Sequence, residues 1–122
     1  MAQMDPTNHD PAYLCGRLLA VLENAQRAAI PNVNATIVDR FYGTASTAPA
    51  SVFGRLLRGV QPHLAKLQRD NRGAYVAIQN RMEEILSGLP GDRGFPRILT
   101  LQEQGMFALG YYHQRAQQSA QM

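Results

Sequence analysis

Between Ser51 and Asp70 the apolar residues and the cations sort onto opposite sides of one helical wheel. At 100° per residue, Val52, Phe53, Leu56, Leu57, Val60, Leu64 and Leu67 share one arc. Arg55, Arg58, Lys66 and Arg69 fall within about 80° of one another on the far side. A segment patterned this way folds as a helix with a core face and a basic rail. Gly59 and Pro62 interrupt it, and a proline inside a helix removes a hydrogen bond and kinks the axis. If the helix breaks there, the cations become two pairs, Arg55 with Arg58 and Lys66 with Arg69.

The rest of the chain carries the same period. Asp10-Pro11 is an N-cap followed by proline at the first helical position. Leu14, Leu18, Val21, Leu22, Ala25 and Ala29 then lie on one face, with Arg17, Asn24, Gln26 and Arg27 off it. Pro31 ends that helix by Ile30. Asn32 or Asn34 caps a short helix to about Tyr42; its β-branched content leaves a strand as the alternative. The run from Gly43 to Ala50 is small and turn-prone, and Asn71-Arg72-Gly73 makes a short break. Tyr75, Ile78, Met82, Ile85, Leu86 and Leu89 recur at helical spacing up to Gly88, placed where a C-terminal cap belongs. Residues 88–99 hold three glycines and two prolines and are irregular. Thr100 and Glu103 form a capping box for a helix through about Gln117, with Leu101, Phe107, Ala108, Tyr111 and Tyr112 on its apolar face.

These elements predict an all-α fold, a compact bundle of four to five helices. The 122 residues suit one domain. We expect a flexible lead-in over residues 1–9, a single helical-bundle domain over 10–117 and a frayed tail over 118–122. There is no run long and apolar enough to span a membrane and no signal-peptide pattern, and the single Cys15 rules out an internal disulfide framework. A cytoplasmic location is expected.

The formal charge of +3 is unevenly spread. Eleven of the twelve cations are arginine, whose planar fork suits phosphate better than a lysine point charge does. Residues 40–81 hold seven cations against the single Asp70, a concentration that points to an anionic partner. Catalytic chemistry is missing. His9, His63 and His113 are fifty or more residues apart with no metal-ligand spacing. Glu83 and Glu84 diverge by 100° on a helix, Cys15 borders a core stripe, and Gly88, Gly91 and Gly94 lack the strand and lysine of a phosphate loop. No enzyme, metal, cofactor or small-molecule substrate is expected.

The rail of Arg55, Arg58, Lys66 and Arg69, extended by Arg72 and with Arg40 as a further candidate, suits a nucleic-acid backbone, bound without base reading and sensitive to salt. The bland alternative is a solvated helix face. Tyr111, Tyr112, His113 and Arg115 offer the chemistry of a stacking platform, but both tyrosines fall on the predicted buried face, which assigns them to the core.

The run PNVNATIVDRFYGTASTAPASVFGRLLRGVQPHLAKL over residues 31–67, and FALGYYHQRA over residues 107–116, resemble the C-terminal region of the large subunit of type I-C CRISPR Cascade. The likeness extends from about Ala12 to Ala116. The large N-terminal part of that family, which recognises the protospacer-adjacent motif, has no counterpart here, so that role is not carried over. The resemblance implies a separately made small subunit from an internal start, with an engineered fragment as the alternative. It also implies a non-catalytic helical bundle that supports assembly and steadies the displaced non-target DNA strand. Implied partners are the large and backbone subunits, further copies of the chain and the crRNA-guided complex. The competing expectation is a purely structural adaptor whose basic face meets acidic protein neighbours.

Overall fold

A computed structural model describes residues 5–91 and 94–120. The element order is α1 (Pro11–Ala29), α2 (Ile37–Thr47), a 3-10 turn (Pro49–Ser51), α3 (Phe53–Asp70), α4 (Arg72–Gly88) and α5 (Leu101–Ala120). The fold is all-α, five helices with no strand among the described residues. None of the described helices is long and apolar enough to cross a membrane.

Helix α1 starts as its sequence predicts, with the Asp10 carboxylate accepting from the Ala12 N–H at 2.8 Å and Pro11 in the first turn. Unlike a surface helix, it is buried on every side from Ala12 to Glu23 and touches each of the other four helices. The two charged residues in that span, Arg17 and Glu23, are therefore inside the core. Arg17, placed off the core face by the wheel, is only 2 % exposed. Its Nε donates to Gln114 Oε1 at 2.8 Å, and its Nη2 reaches Glu84 at 3.1 Å. Glu23 accepts from the Tyr111 hydroxyl at 2.7 Å and from Thr36 Oγ1 at 3.2 Å. These bonds tie α1 to α4, to α5 and to the start of α2.

Helices α1 and α5 cross at a reciprocal pair of glycines. A Cβ on Gly16 would run into the Phe107 carbonyl, and one on Gly110 would run into the Tyr13 carbonyl. Only hydrogen at both positions lets the backbones approach this closely.

Helix α2 corrects the sequence reading at both ends. Its cap is Thr36, not Asn32 or Asn34: Thr36 and Asp39 form a reciprocal capping box. It continues past Tyr42 because Ser46 and Thr47 return their hydroxyls to the Gly43 carbonyl, at 3.1 and 2.9 Å, and Ala45 is fully buried. It stops at Ala48, whose backbone is pushed out of helical geometry ahead of Pro49.

Helix α3 runs unbroken through Pro62. Asn71 alone separates it from α4 and caps α4 through Ala74 N–H, so the predicted break shrinks to one residue. Gly88 is the last helical residue of α4, not a left-handed cap; a Cβ there would press on Leu14. The following segment is irregular as expected. It is strapped to the α2–α3 corner by Ala50 N–H to the Pro96 carbonyl at 2.9 Å and Leu99 N–H to the Thr47 carbonyl at 2.8 Å. Phe95 stacks on Phe53 at 5.0 Å. The Thr100–Glu103 capping box forms, and α5 extends beyond Gln117 to Ala120, with Gln118 buried against α1.

Candidate nucleic-acid interface

The rail is built by α3. Phe53, Leu56, Val60, Leu64 and Leu67 are buried on its inner side, which fixes the rotation of the helix and turns Arg55, Arg58, Lys66 and Arg69 outward, all exposed. From Arg55 to Arg69 the rail is about 21 Å long at 1.5 Å per residue. Pro62 sits in the middle of this outer stripe. Its missing N–H leaves the Arg58 carbonyl on the exposed side, where water is the available donor, which is why the helix survives it. Arg72 is the first residue of α4 and carries the line of exposed cations past the end of α3.

The five cations are not equivalent. Among the described residues, Arg55, Arg58, Arg69 and Arg72 make no hydrogen bond or ion pair, although the Arg58 guanidinium folds back over Gly54. Lys66 is engaged: its Nζ donates to the Ala29 carbonyl at 2.6 Å and lies 4.0 Å from Asp70. It thus satisfies the C-terminal end of α1, where a cation suits the helix dipole. Asp70 is also the only acid between residues 40 and 81. Burial holds the pKa of His63, on the flank of α3, below the ordinary value.

One surface was not assembled from the sequence. Helices α4 and α5 flank α1 and leave two adjoining depressions of about 300 and 380 Å³ that share Asn24, Ala28 and Gln118. Arg27 and Arg115 line the first, Arg81 and Asn71 the second. Asn71 adjoins Arg72, so the rail leads into this groove. Its residues come from three helices far apart in the chain, and no local spacing announces them.

The aromatic cluster divides. Tyr111 is buried and bonded to Glu23, and these together with burial push its pKa up. Tyr112, assigned to the buried face by the sequence, is 58 % exposed. His113 is half-buried, with Nδ1 2.9 Å from the Tyr13 hydroxyl, and the Arg115 guanidinium lies 6.0 Å from the Tyr111 ring centre. Among the described residues no three His, Cys, Asp or Glu side chains gather as metal ligands. Glu84 is committed to Arg17 and Glu83 stands near Gln79.

A family model described as CRISPR-associated protein (Cas_Csd1) matches residues 1–118. No curated protein matches the chain.

Proposed function

The chain belongs to the Cas_Csd1 family of CRISPR-associated proteins, and from that premise we propose that it is a small subunit whose α3 rail steadies the displaced non-target DNA strand. Members of this family are structural, non-catalytic subunits, and the chain is a component of a CRISPR Cascade-type complex. Exchange of a DNA duplex for a guide–target heteroduplex is nearly balanced in energy, so a few backbone contacts to the displaced strand shift it. The observation that carries the reading is the row of Arg55, Arg58 and Arg69 on one unbroken helix, unpaired among the described residues and continued by Arg72. Arginines carried on a packed helix in this way suit phosphates without reading bases. Lys66, already bonded to α1, contributes field more than contact.

The test uses complete effector carrying Arg55→Glu, Arg58→Glu, Arg69→Glu and Arg72→Glu together, with Lys66 retained so that α1 keeps its partner. Normal subunit stoichiometry with reduced R-loop formation is the expected result. Failure of the variant to enter the complex would favour the structural adaptor, whose basic face meets acidic protein. In the wild type, four phosphate contacts to a single strand predict a loss of about 50-fold in the rail's contribution between 50 and 200 mM salt, from a slope of about −0.7 per contact.

A further inference from the structure

Where α1, α2 and α3 meet, beside the rail, lies a largely apolar pocket of about 230 Å³. Phe41 forms part of its wall, no acid lines it, and its one charged residue is Arg55, the first cation of the rail. Arg55, Gly59 and His63 run down its α3 side at intervals of four residues, and Gln26 stands on the α1 side.

Several of these residues have capacity that the fold leaves unused. Gly59 is in the interior of α3, where glycine is a poor helix former. Its φ is not positive and nothing lies within 4 Å of a Cβ placed there, so neither turn geometry nor a close neighbour calls for glycine. The bare position keeps one wall of the pocket clear. The Gln26 amide is held by its Oε1, which accepts from the Ile37 N–H at 2.9 Å, and its Nε2 donors meet no partner among the described residues. Phe41 is half-buried against the core, and its ring pairs with no other ring among the described residues. His63 forms no hydrogen bond there either, and its burial favours the neutral ring, with one donor and one acceptor.

We propose, resting on the DNA reading of α3, that this pocket takes one unpaired base of the strand whose phosphates lie along the rail. An apolar side chain would need only the walls. A base needs apolar walls for its faces and hydrogen-bonding groups for its edge, and Gln26 and His63 supply the second at an otherwise apolar site. Every base edge carries an acceptor for an amide donor, so the pocket separates base from no base without reading sequence. Arg55 lines the pocket and begins the rail, which joins a phosphate contact outside to a base contact inside. The volume equals that of roughly eight waters at about 30 Å³ each, room for one flat heterocycle. The wider groove beside α4 and α5 has no aromatic ring in its lining and includes Glu23, so it lacks such walls.

Fluorescence anisotropy on the full 122-residue chain, at up to about 1 mM protein and about 50 mM salt, compares oligothymidylate with an abasic deoxyribose-phosphate strand of equal length. The wild type is expected to bind oligothymidylate about tenfold tighter. Gly59→Leu fills the pocket from an open helical position and is expected to abolish that preference while leaving abasic binding unchanged. Phe41→Leu keeps the wall apolar and is expected to cut the preference to about threefold. Equal binding of the two strands by the wild type overturns the pocket and leaves the rail standing. A preference that both variants retain overturns it too, because the base contact then lies elsewhere. Binding of both strands that Arg55→Glu with Arg58→Glu leaves unchanged overturns the rail reading, and the pocket with it. Loss of Gly59→Leu from the assembled effector, with no preference between strands, would give the pocket to an apolar side chain of a neighbouring subunit and overturns the proposal equally.

Discussion

A guanidinium with 2 % of its surface in water must have its donors met inside the fold. Arg17 meets this demand with Gln114 and Glu84, and lysine, a point charge without the fork, would not span both partners. The wheel put Arg17 outside because it assumes one buried face, whereas α1 is enclosed on all sides. Its neighbour Cys15 carries a different consequence of the same burial. Desolvation, with a smaller part from Asp10, raises the thiol pKa from 9.0 to about 12. The raised folded-state value means that the contribution to stability is complete below pH 9.0 and is lost as pH rises towards about 12, since only the unfolded thiol ionises in that window. Denaturant titrations between pH 9 and 11 are expected to show stability falling by up to about 1.4 kcal/mol per unit from this group, and Cys15→Ala should remove that part of the slope.

Contact between elements turns on the crossing of α1 and α5. Ala at Gly16 or Gly110 sets a methyl group against a backbone carbonyl that cannot swing away, and a loss of about 3 kcal/mol is expected. Thermal unfolding should then shift down by roughly 10 °C. Gly59→Ala, in open space on α3, should do the opposite and add about 1 kcal/mol. Neither close glycine was legible in the sequence, where nothing distinguishes Gly16 and Gly110 from Gly59 and Gly105. What was legible is whatever a single helix states by itself: the Asp10-Pro11 start, the Thr100–Glu103 box and the sorted faces of α3. The missed boundaries are those where hydroxyl side chains substitute for the usual signals, with Thr36 capping α2 and Ser46 and Thr47 prolonging it. Tyr112 was misplaced for a related reason: α5 has apolar residues on both sides, and its wheel offers no contrast to orient it.

Across the whole molecule, every helix shares α1 as its common partner. No neighbour can leave without uncovering part of it, so α1 opens only when the entire fold does. Native-state hydrogen exchange should show the amides from Leu18 to Ala25 exchanging at the global unfolding free energy, ahead of no other segment, with α2 opening at lower cost; early exchange in α1 would refute a common core. The rail stands in contrast to this core. Its residues were readable because they sit on one helix, while the groove of Asn24, Arg81, Arg115 and Gln118 exists only after three helices meet. The same architecture bears on how the chain is made. The helix that everything packs around is synthesised early, and its largest partner, α5, comes some seventy residues later. At translation rates of about 5–20 residues per second, roughly 4–14 s separate α1 from α5, and through that window the side of α1 that α5 covers in the finished fold stays open on the nascent chain.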